Sequence, residues 1–240
     1  MRLGDFKALT FDCYGTLIDW ETGILKALEP LVRRVNLKPS RDSILEAHAR
    51  HESSQQSWTP AMSYQEILSV TYKRLAEEWG LSATWNECQT YGNSVKDWVA
   101  FPDTVDCLTY LKQHYKLVIL SNVDNASFSH SSSKLHVTFD AVFTAQDIGS
   151  YKPSLRNFTY MTDRLAHIGL AKTDILHTAE SLFHDHAPAN QHGLASCLIH
   201  RRHGQTGFGA TMDPGMTPKF DFRYASLAEM VAAHRLDRST

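Results

Sequence analysis

Polar and charged residues stand at or just beyond the ends of successive predicted strands, and their types suit covalent catalysis. They are Asp12, Thr16, Ser121, Asn122, Lys152, Ser181 and Asp185. An aspartate held beside a lysine stays ionised at neutral pH. Such a carboxylate can act as a nucleophile and form an ester that water later cleaves. We predict that Asp12 is this nucleophile.

Short apolar runs that alternate with helical patterns would position these residues. Predicted strands cover residues 7–12, 116–122, 140–143, 174–180 and 195–200. Strands separated by helices pair in parallel through right-handed crossovers. Ligands of open parallel sheets bind at the carboxyl ends of the strands. The sequence therefore predicts an α/β fold whose core is a Rossmann-like parallel sheet, with the polar residues gathered in one cleft.

A helical stretch interrupts this alternation after the first strand. Helical periodicity occurs four times between residues 20 and 98, in ETGILKALEPLVRRV, SILEAHARHE, YQEILSVTYKRLAEEW and NECQTYGNSVKDW. An insertion at this edge of the sheet would lie over the site and exclude water. We predict an α/β core domain of residues 1–18 and 99–240 and an inserted all-helical cap domain of residues 19–98.

The composition excludes several classes of function. The 240 residues are 42% hydrophobic and 21% charged, which is enough apolar material to bury a full core. The formal net charge of -2 provides no basic field that would attract nucleic acid. The chain has no apolar run of the ~20 residues that a membrane helix needs and no signal-peptide pattern at its start. We expect a cytoplasmic protein without nucleic-acid or membrane partners.

The cysteines and histidines do not predict a metal site. The four cysteines are scattered, without a spacing that suits zinc or disulfides. Among the clustered histidines, His184 and His186 are separated by one residue and do not share a helix face. We expect His184 to line the substrate pocket, and we expect no metal and no cofactor.

Four motifs in the chain resemble those of the haloacid dehalogenase superfamily. They are FDCYGTL around Asp12, SN at 121–122, YKP at 151–153 and ESLFHDHAPANQHG from residue 180. The resemblance covers essentially the whole chain, including the helical insertion. Phosphatases of this superfamily carry a second acid two residues after the first aspartate, and here that position is Tyr14. The chain therefore resembles the metal-free 2-haloacid dehalogenase branch, which attacks carbon.

The resemblance implies a hydrolase that displaces a substituent at the α-carbon of a small 2-substituted carboxylate, with inversion. Asp12 would form an aspartyl ester with the substrate, and Asp185 would activate the water that hydrolyses it. Lys152 would keep Asp12 ionised. The remaining residues of the catalytic set would orient Asp12 and the water or support Lys152, and they are Thr16, Asn122 and Ser181.

The resemblance also implies how the substrate is held. Ser121 and the backbone amides of Cys13 and Tyr14 would bind its carboxylate. Trp20 forms either a wall of the pocket or packing at the hinge. Dehalogenases that resemble this chain are commonly homodimers, so we expect a homodimer.

Departures from the dehalogenase pattern leave the leaving group open. An ungapped match places Leu182 where these enzymes carry an asparagine, and Arg50 is our candidate for the cap arginine that faces the halide. Glu180 and His184 make the neighbourhood more favourable to a cation. The alternative is therefore ring opening of L-azetidine-2-carboxylate at its carbon–nitrogen bond, giving 2-hydroxy-4-aminobutyrate by the same attack. A third hypothesis for the function is a phosphatase of the same superfamily.

Overall fold

The computed structural model describes residues 1–239 and contains a parallel sheet of six strands in the order β3-β2-β1-β4-β5-β6. The strands are β1 (Ala8–Phe11), β2 (Lys116–Ser121), β3 (Ala141–Thr144), β4 (Ile175–Ala179), β5 (Ala195–Ile199) and β6 (Phe222–Tyr224). The predicted α/β fold with a Rossmann-like parallel sheet is confirmed. The sequence does not predict β6, because three residues between a loop and a helix are too short to show a period.

The central strands β1 and β4 are buried along their whole length. Both are mainly apolar, with Thr10, His177 and Thr178 as buried polar residues, because helices cover both faces of a parallel sheet. The helices outside the insertion are α5 (Thr104–Leu111), α6 (Asn125–Leu135), α7 (Ala145–Ile148), α8 (Leu155–Ala166), α9 (Ala187–His192) and α10 (Leu227–Asp237). In residues 1–239, no helix combines the length and the hydrophobicity required to cross a membrane.

Four helices lie between β1 and α5 in the chain, within residues 20–98, where the periodicity predicts them. We call them the cap helices, and they are α1 (Trp20–Val32), α2 (Arg41–Trp58), α3 (Tyr64–Glu78) and α4 (Trp85–Gly92). A 3₁₀ turn at Asn93–Asp97 follows them. Each begins after a residue whose side chain accepts a hydrogen bond from a backbone amide of the first turn: Asp19, Ser40, Ser63 and Thr84. The proposed division into two domains stays a prediction.

A long loop of residues 200–221 joins β5 to β6 and is tied to the cap helices by Arg202. Its guanidinium donates to Glu21 of α1 at 2.7 Å and to Asp42 of α2 at 3.2 Å. Gly209 of this loop has a φ of 64°, and a Cβ there would collide with Glu21. Glycine at this position therefore permits the close approach of the loop to α1.

The loop before α8 is held by the cap helices as well. The hydroxyl of Tyr151 donates to the backbone oxygen of Met62, which lies between α2 and α3, at 2.7 Å. Tyr151 directly precedes Lys152 in the chain. The backbone next to that lysine is thus attached to the cap helices.

Candidate active site

Asp12 follows β1 and is fixed through both of its carboxylate oxygens. Its Oδ1 accepts a hydrogen bond from Lys152 Nζ at 2.9 Å, and its Oδ2 accepts one from Thr16 Oγ1 at 2.8 Å. Thr16 Oγ1 in turn accepts from the amide of Glu180 at 2.9 Å. Burial raises the pKa of Asp12, against the lowering effect of the Lys152 ammonium. The carboxylate is held in one orientation beside a positive charge.

Lys152 joins the two carboxylates of the site. Its ammonium is 1% exposed and donates to Asp12 Oδ1 at 2.9 Å, to Asp185 Oδ1 at 2.6 Å and to the Leu120 oxygen at 3.0 Å. Burial alone would lower the pKa of Lys152, but the charges of Asp12 and Asp185 outweigh it and keep the pKa above its ordinary value. The lysine therefore remains a cation with its three donors occupied.

Asp185 lies in a π-helical turn, Leu182–His186, that follows β4. Its Oδ1 also accepts from His177 Nε2 at 2.9 Å, whereas its buried Oδ2 has no hydrogen-bond partner within residues 1–239. Burial would raise the pKa of Asp185, but Lys152 and His177 lower it below the ordinary range. One carboxylate oxygen is thus occupied, and the other is left for a ligand or water.

His177 is a site residue that the sequence reasoning missed. It lies inside β4, is completely buried, and its Nδ1 is 2.9 Å from Thr10 Oγ1. The ring therefore connects Asp185 to a hydroxyl of β1. The only signal in the sequence is a single polar ring in the apolar run ILHTA.

Asn122 and Ser181 lie near the lysine but make contacts other than those expected. Asn122 pairs with the backbone of Lys152 through two hydrogen bonds of 3.0 and 2.6 Å. Ser181 Oγ accepts from the amide of His184 at 3.0 Å and so begins the turn that carries Asp185. Asn122 therefore positions the backbone of Lys152, and Ser181 positions the turn.

Unused hydrogen-bond donors lie close to Asp12. Ser121 Oγ is buried and has no partner among the described residues. The amides of Cys13 and Tyr14 likewise have no acceptor in the described part of the chain, although the neighbouring amides of Asp12 and Gly15 do. Three donors without acceptors are suited to an anion such as a carboxylate.

Asp12, Lys152 and Asp185 open on a small cavity between the sheet edge and the cap helices, with about 20 Å³ of free volume. Cys13 and Ser121 are not among its lining residues. Residues from both sides line it: Asp12, Tyr14, Trp20, Glu52, Gln56, Tyr64, Asn122, Lys152, Ser181, His184 and Asp185. The sequence predicts Tyr14, Trp20 and His184 at the substrate site, and all three line the cavity. The sequence does not predict Glu52 and Gln56 there, because helical periodicity alone does not show which polar side of α2 faces the site.

Besides Cys13 and Ser121, two further residues predicted to bind substrate, Arg50 and Glu180, lie outside this lining. Arg50 is exposed on α2 and pairs with Glu78 of α3 at 2.8 Å. Glu180 lines a neighbouring cavity of about 200 Å³ together with Glu21 and Arg202. Burial, with a further contribution from Glu21, raises the pKa of Glu180 to about 8. The structure does not bring either residue to the cavity that contains Asp12.

Of the clustered histidines, His184 lines the cavity, whereas His186 is used in packing. His186 contacts Ser196 Oγ at 3.1 Å and the Ala179 oxygen at 3.0 Å, and burial lowers the pKa of His184 to about 4. Across residues 1–239, three or more metal-ligating side chains do not come together in an arrangement that could hold a metal ion.

Comparison with known proteins places this site in a family. The family model of haloacid dehalogenase-like hydrolases matches residues 6–177. The (S)-2-haloacid dehalogenase 4A of Burkholderia cepacia is 27% identical over 176 residues, which are 66% of this chain and 69% of that protein. The residues that match the family model make up well over half of the chain.

Solved structures agree in fold. The defluorinating L-2-haloacid dehalogenase Rha0230 superposes with a TM-score of 0.77 at 20% identity, over 98% of this chain and 99% of that one. The L-2-haloacid dehalogenase of Xanthobacter autotrophicus with chloropropionic acid covalently bound gives 0.75 at 19% identity, over 98% and 99%. The protein is a hydrolase and belongs to the haloacid dehalogenase-like hydrolases.

Proposed function

We propose that the protein hydrolyses a small 2-substituted carboxylate through covalent attack of Asp12 on the α-carbon. The observation that carries this proposal is the buried ammonium of Lys152 between Asp12 and Asp185. This ammonium offsets the negative charge of the Asp12 carboxylate, whose two oxygens are oriented by Lys152 and Thr16. Such an arrangement favours the ionised, attacking form of Asp12.

The first half-reaction forms the ester. The carboxylate of the substrate binds the free donors of Ser121, Cys13 and Tyr14, which places the α-carbon against Asp12. A carboxylate oxygen forms a bond to this carbon from the side opposite the leaving group, which departs with the bonding electron pair. The configuration at the carbon inverts.

The second half-reaction regenerates Asp12. Water adds to the ester carbonyl carbon, and the free Oδ2 of Asp185 orients the water and accepts its proton. The bond from this carbon to the oxygen of the product then breaks, that oxygen takes up a proton, and the 2-hydroxy acid leaves Asp12 as a free carboxylate. Because its pKa is low, Asp185 is a weak base. The Lys152 ammonium beside the ester therefore contributes by stabilising the negative charge that develops on the carbonyl oxygen.

Two leaving groups are candidates. The haloacid names of the relatives support a halide, and the covalently bound chloropropionic acid in the Xanthobacter structure supports attack on its α-carbon. A ring amine, as in L-azetidine-2-carboxylate, is supported by the acid Glu52 in the cavity lining and by the location of Arg50 outside it. From the family resemblance, we also propose a homodimer located in the cytoplasm.

The test offers the purified enzyme L-2-chloropropionate, L-azetidine-2-carboxylate and p-nitrophenyl phosphate in separate assays without added metal. Excess enzyme then performs a single turnover in water enriched in the heavy oxygen isotope. Since water attacks the ester carbonyl, we expect the label in the Asp12 peptide rather than in the product. Label in the product, or turnover of the phosphate alone, would overturn the proposal.

We expect EDTA to leave the rate unchanged and added magnesium to give no stimulation. Tyr14 stands where the phosphatases that the chain resembles carry a second acid, and its hydroxyl binds Ser131 Oγ at 2.8 Å. Burial raises the pKa of Tyr14 well above its ordinary value, so the hydroxyl stays neutral and is a poor metal ligand. Rates measured with and without chelator check this, and a rate restored by magnesium after chelation would contradict it.

We also expect activity to fail in acid at a higher pH than an ordinary aspartate would cause. Burial raises the pKa of Asp12 above 3.8, and only the ionised carboxylate attacks. As the pH falls through this raised value, kcat/KM for L-2-chloropropionate decreases. Circular dichroism at each pH separates this loss from unfolding. An acid limb at or below pH 3.8 in folded enzyme would contradict the expectation.

A further inference from the structure

A buried glutamate of α2 faces the catalytic cavity without a cation to balance it. Glu52 is 2% exposed, and its Oε1 accepts a hydrogen bond from the hydroxyl of Tyr64 at 2.7 Å. Its Oε2 accepts no hydrogen bond, and no lysine, arginine or histidine pairs with it within residues 1–239. The only basic group of the lining beside His184 is Lys152, which is committed to Asp12 and Asp185.

We propose that Glu52 and Tyr64 form a leaving-group subsite that takes a protonated amine, so that the enzyme selects 2-substituted carboxylates whose leaving group is an ammonium. This inference rests on the proposed attack of Asp12 on the α-carbon. It assigns the specificity of that attack to a residue of the cap helices.

The charges of the cavity favour a cation at this position. A carboxylate buried without a counter-charge is costly, and a bound ammonium supplies the counter-charge. A departing halide would instead meet the like charge of Glu52 in a site that excludes water, where such repulsion is strong. Burial raises the pKa of Glu52 to about 7, and a neighbouring ammonium would stabilise its ionised form.

Aromatic rings around the same cavity point to the same ligand. Tyr14, Trp20 and Tyr64 all line it, and the rings of Tyr14 and Tyr64 are stacked with their centroids 6.1 Å apart. The faces of such rings attract ammonium groups, most strongly where water is excluded. Glu52 and these rings together provide both charge and shape for a small cyclic amine.

The reaction is balanced with this assignment. The ring nitrogen enters as an ammonium, Asp12 forms a bond to the α-carbon, and the carbon–nitrogen bond breaks with its electron pair going to nitrogen. The nitrogen leaves as a neutral amine, which then takes a proton from water. Hydrolysis of the ester returns Asp12 and gives the 2-hydroxy-4-amino acid. Because the nitrogen loses its charge during bond breaking, Glu52 favours binding more than bond cleavage.

The test measures binding without turnover. In the Asp12→Asn background, calorimetry compares L-azetidine-2-carboxylate with cyclobutanecarboxylate, which has the same ring without the nitrogen. We expect at least about tenfold tighter binding of the azetidine, and loss of this preference on adding Glu52→Gln, which keeps the size of the side chain and an acceptor for Tyr64. The matched control, Glu46→Gln, changes an exposed glutamate of the same helix and should retain the preference.

The kinetic arm separates a specificity role from a structural one. In the otherwise unchanged enzyme, Glu52→Gln should raise KM for L-azetidine-2-carboxylate by at least about tenfold and change kcat less, with KM for L-2-chloropropionate not increased. Equal binding of the two ring acids, or a preference that survives Glu52→Gln, overturns the subsite.

The subsite and the proposed attack can fail independently. If L-2-chloropropionate labels Asp12 but the ring acids bind equally, the attack stands and the subsite fails. If the ammonium preference depends on Glu52 but neither carbon substrate is hydrolysed, the subsite stands and the proposed attack fails.

Discussion

Replacement of Asp12 by asparagine is expected to reduce turnover of every substrate by about 10⁴-fold or more while the protein stays folded. The amide is a poor nucleophile, so the ester cannot form. Its oxygen can still accept from Thr16 or Lys152, and Lys152 keeps its bonds to Asp185 and to the Leu120 oxygen. Steady-state rates and a thermal unfolding curve measure the two effects.

The control for this variant is Asp106→Asn, which changes an exposed aspartate of α5 and should leave the rate near that of the unchanged protein. Intact-protein mass spectrometry must show that the introduced amide has not been hydrolysed back to the acid. Near-normal turnover by a variant whose amide is intact would exclude Asp12 as the covalent nucleophile.

The largest expected effect on stability follows from replacing Lys152 by methionine. This change leaves two buried carboxylates, Asp12 and Asp185, close together without their shared cation. Removing one partner of a buried ion pair typically costs about 3–5 kcal/mol of the free energy of unfolding. Urea unfolding measures the loss. An exposed lysine of α1 provides the matched control, Lys26→Met, which we expect to be nearly neutral.

A double variant tests the cause of this loss. If uncompensated charge is responsible, combining Lys152→Met with Asp12→Asn should be more stable than Lys152→Met alone, because one of the two carboxylates is then neutral. A double variant whose destabilisation equals the sum of the two single effects would indicate that the loss comes from packing of the lysine side chain instead.

Much of the site could be predicted because its residues are adjacent to strands in the sequence. Asp12 and Asn122 each follow a short apolar run, and the geometry of a parallel sheet brings the ends of such runs together. The strand pattern therefore predicts which polar groups meet, even though it does not predict their individual hydrogen bonds. Asn122, for example, pairs with the backbone of Lys152 rather than with Asp12.

The side of the cavity formed by the cap helices could not be predicted in this way. Arg50 and Glu52 are two residues apart on α2, and residues at that spacing point about 200° apart around a helix. A polar helix such as α2 does not show in its sequence which side packs on the site. The packing of α2 against α1 and α3 places Glu52 inside the cavity and leaves Arg50 with Glu78 at the surface.

The hydrogen bond from Tyr151 to Met62 links the reactivity of the site to the position of the cap helices. The cavity lies between the sheet edge and these helices and has about 20 Å³ of free volume, so a movement of the helices away from the sheet would widen the way in for a substrate. Such a movement would break or lengthen the hydrogen bond from Tyr151 to the Met62 oxygen, and Tyr151 is next to Lys152 in the chain. An open enzyme would thus have a loosely held lysine and a less reactive Asp12. Closure over a substrate would restore both, which limits the nucleophile's reactivity to times when a substrate is enclosed.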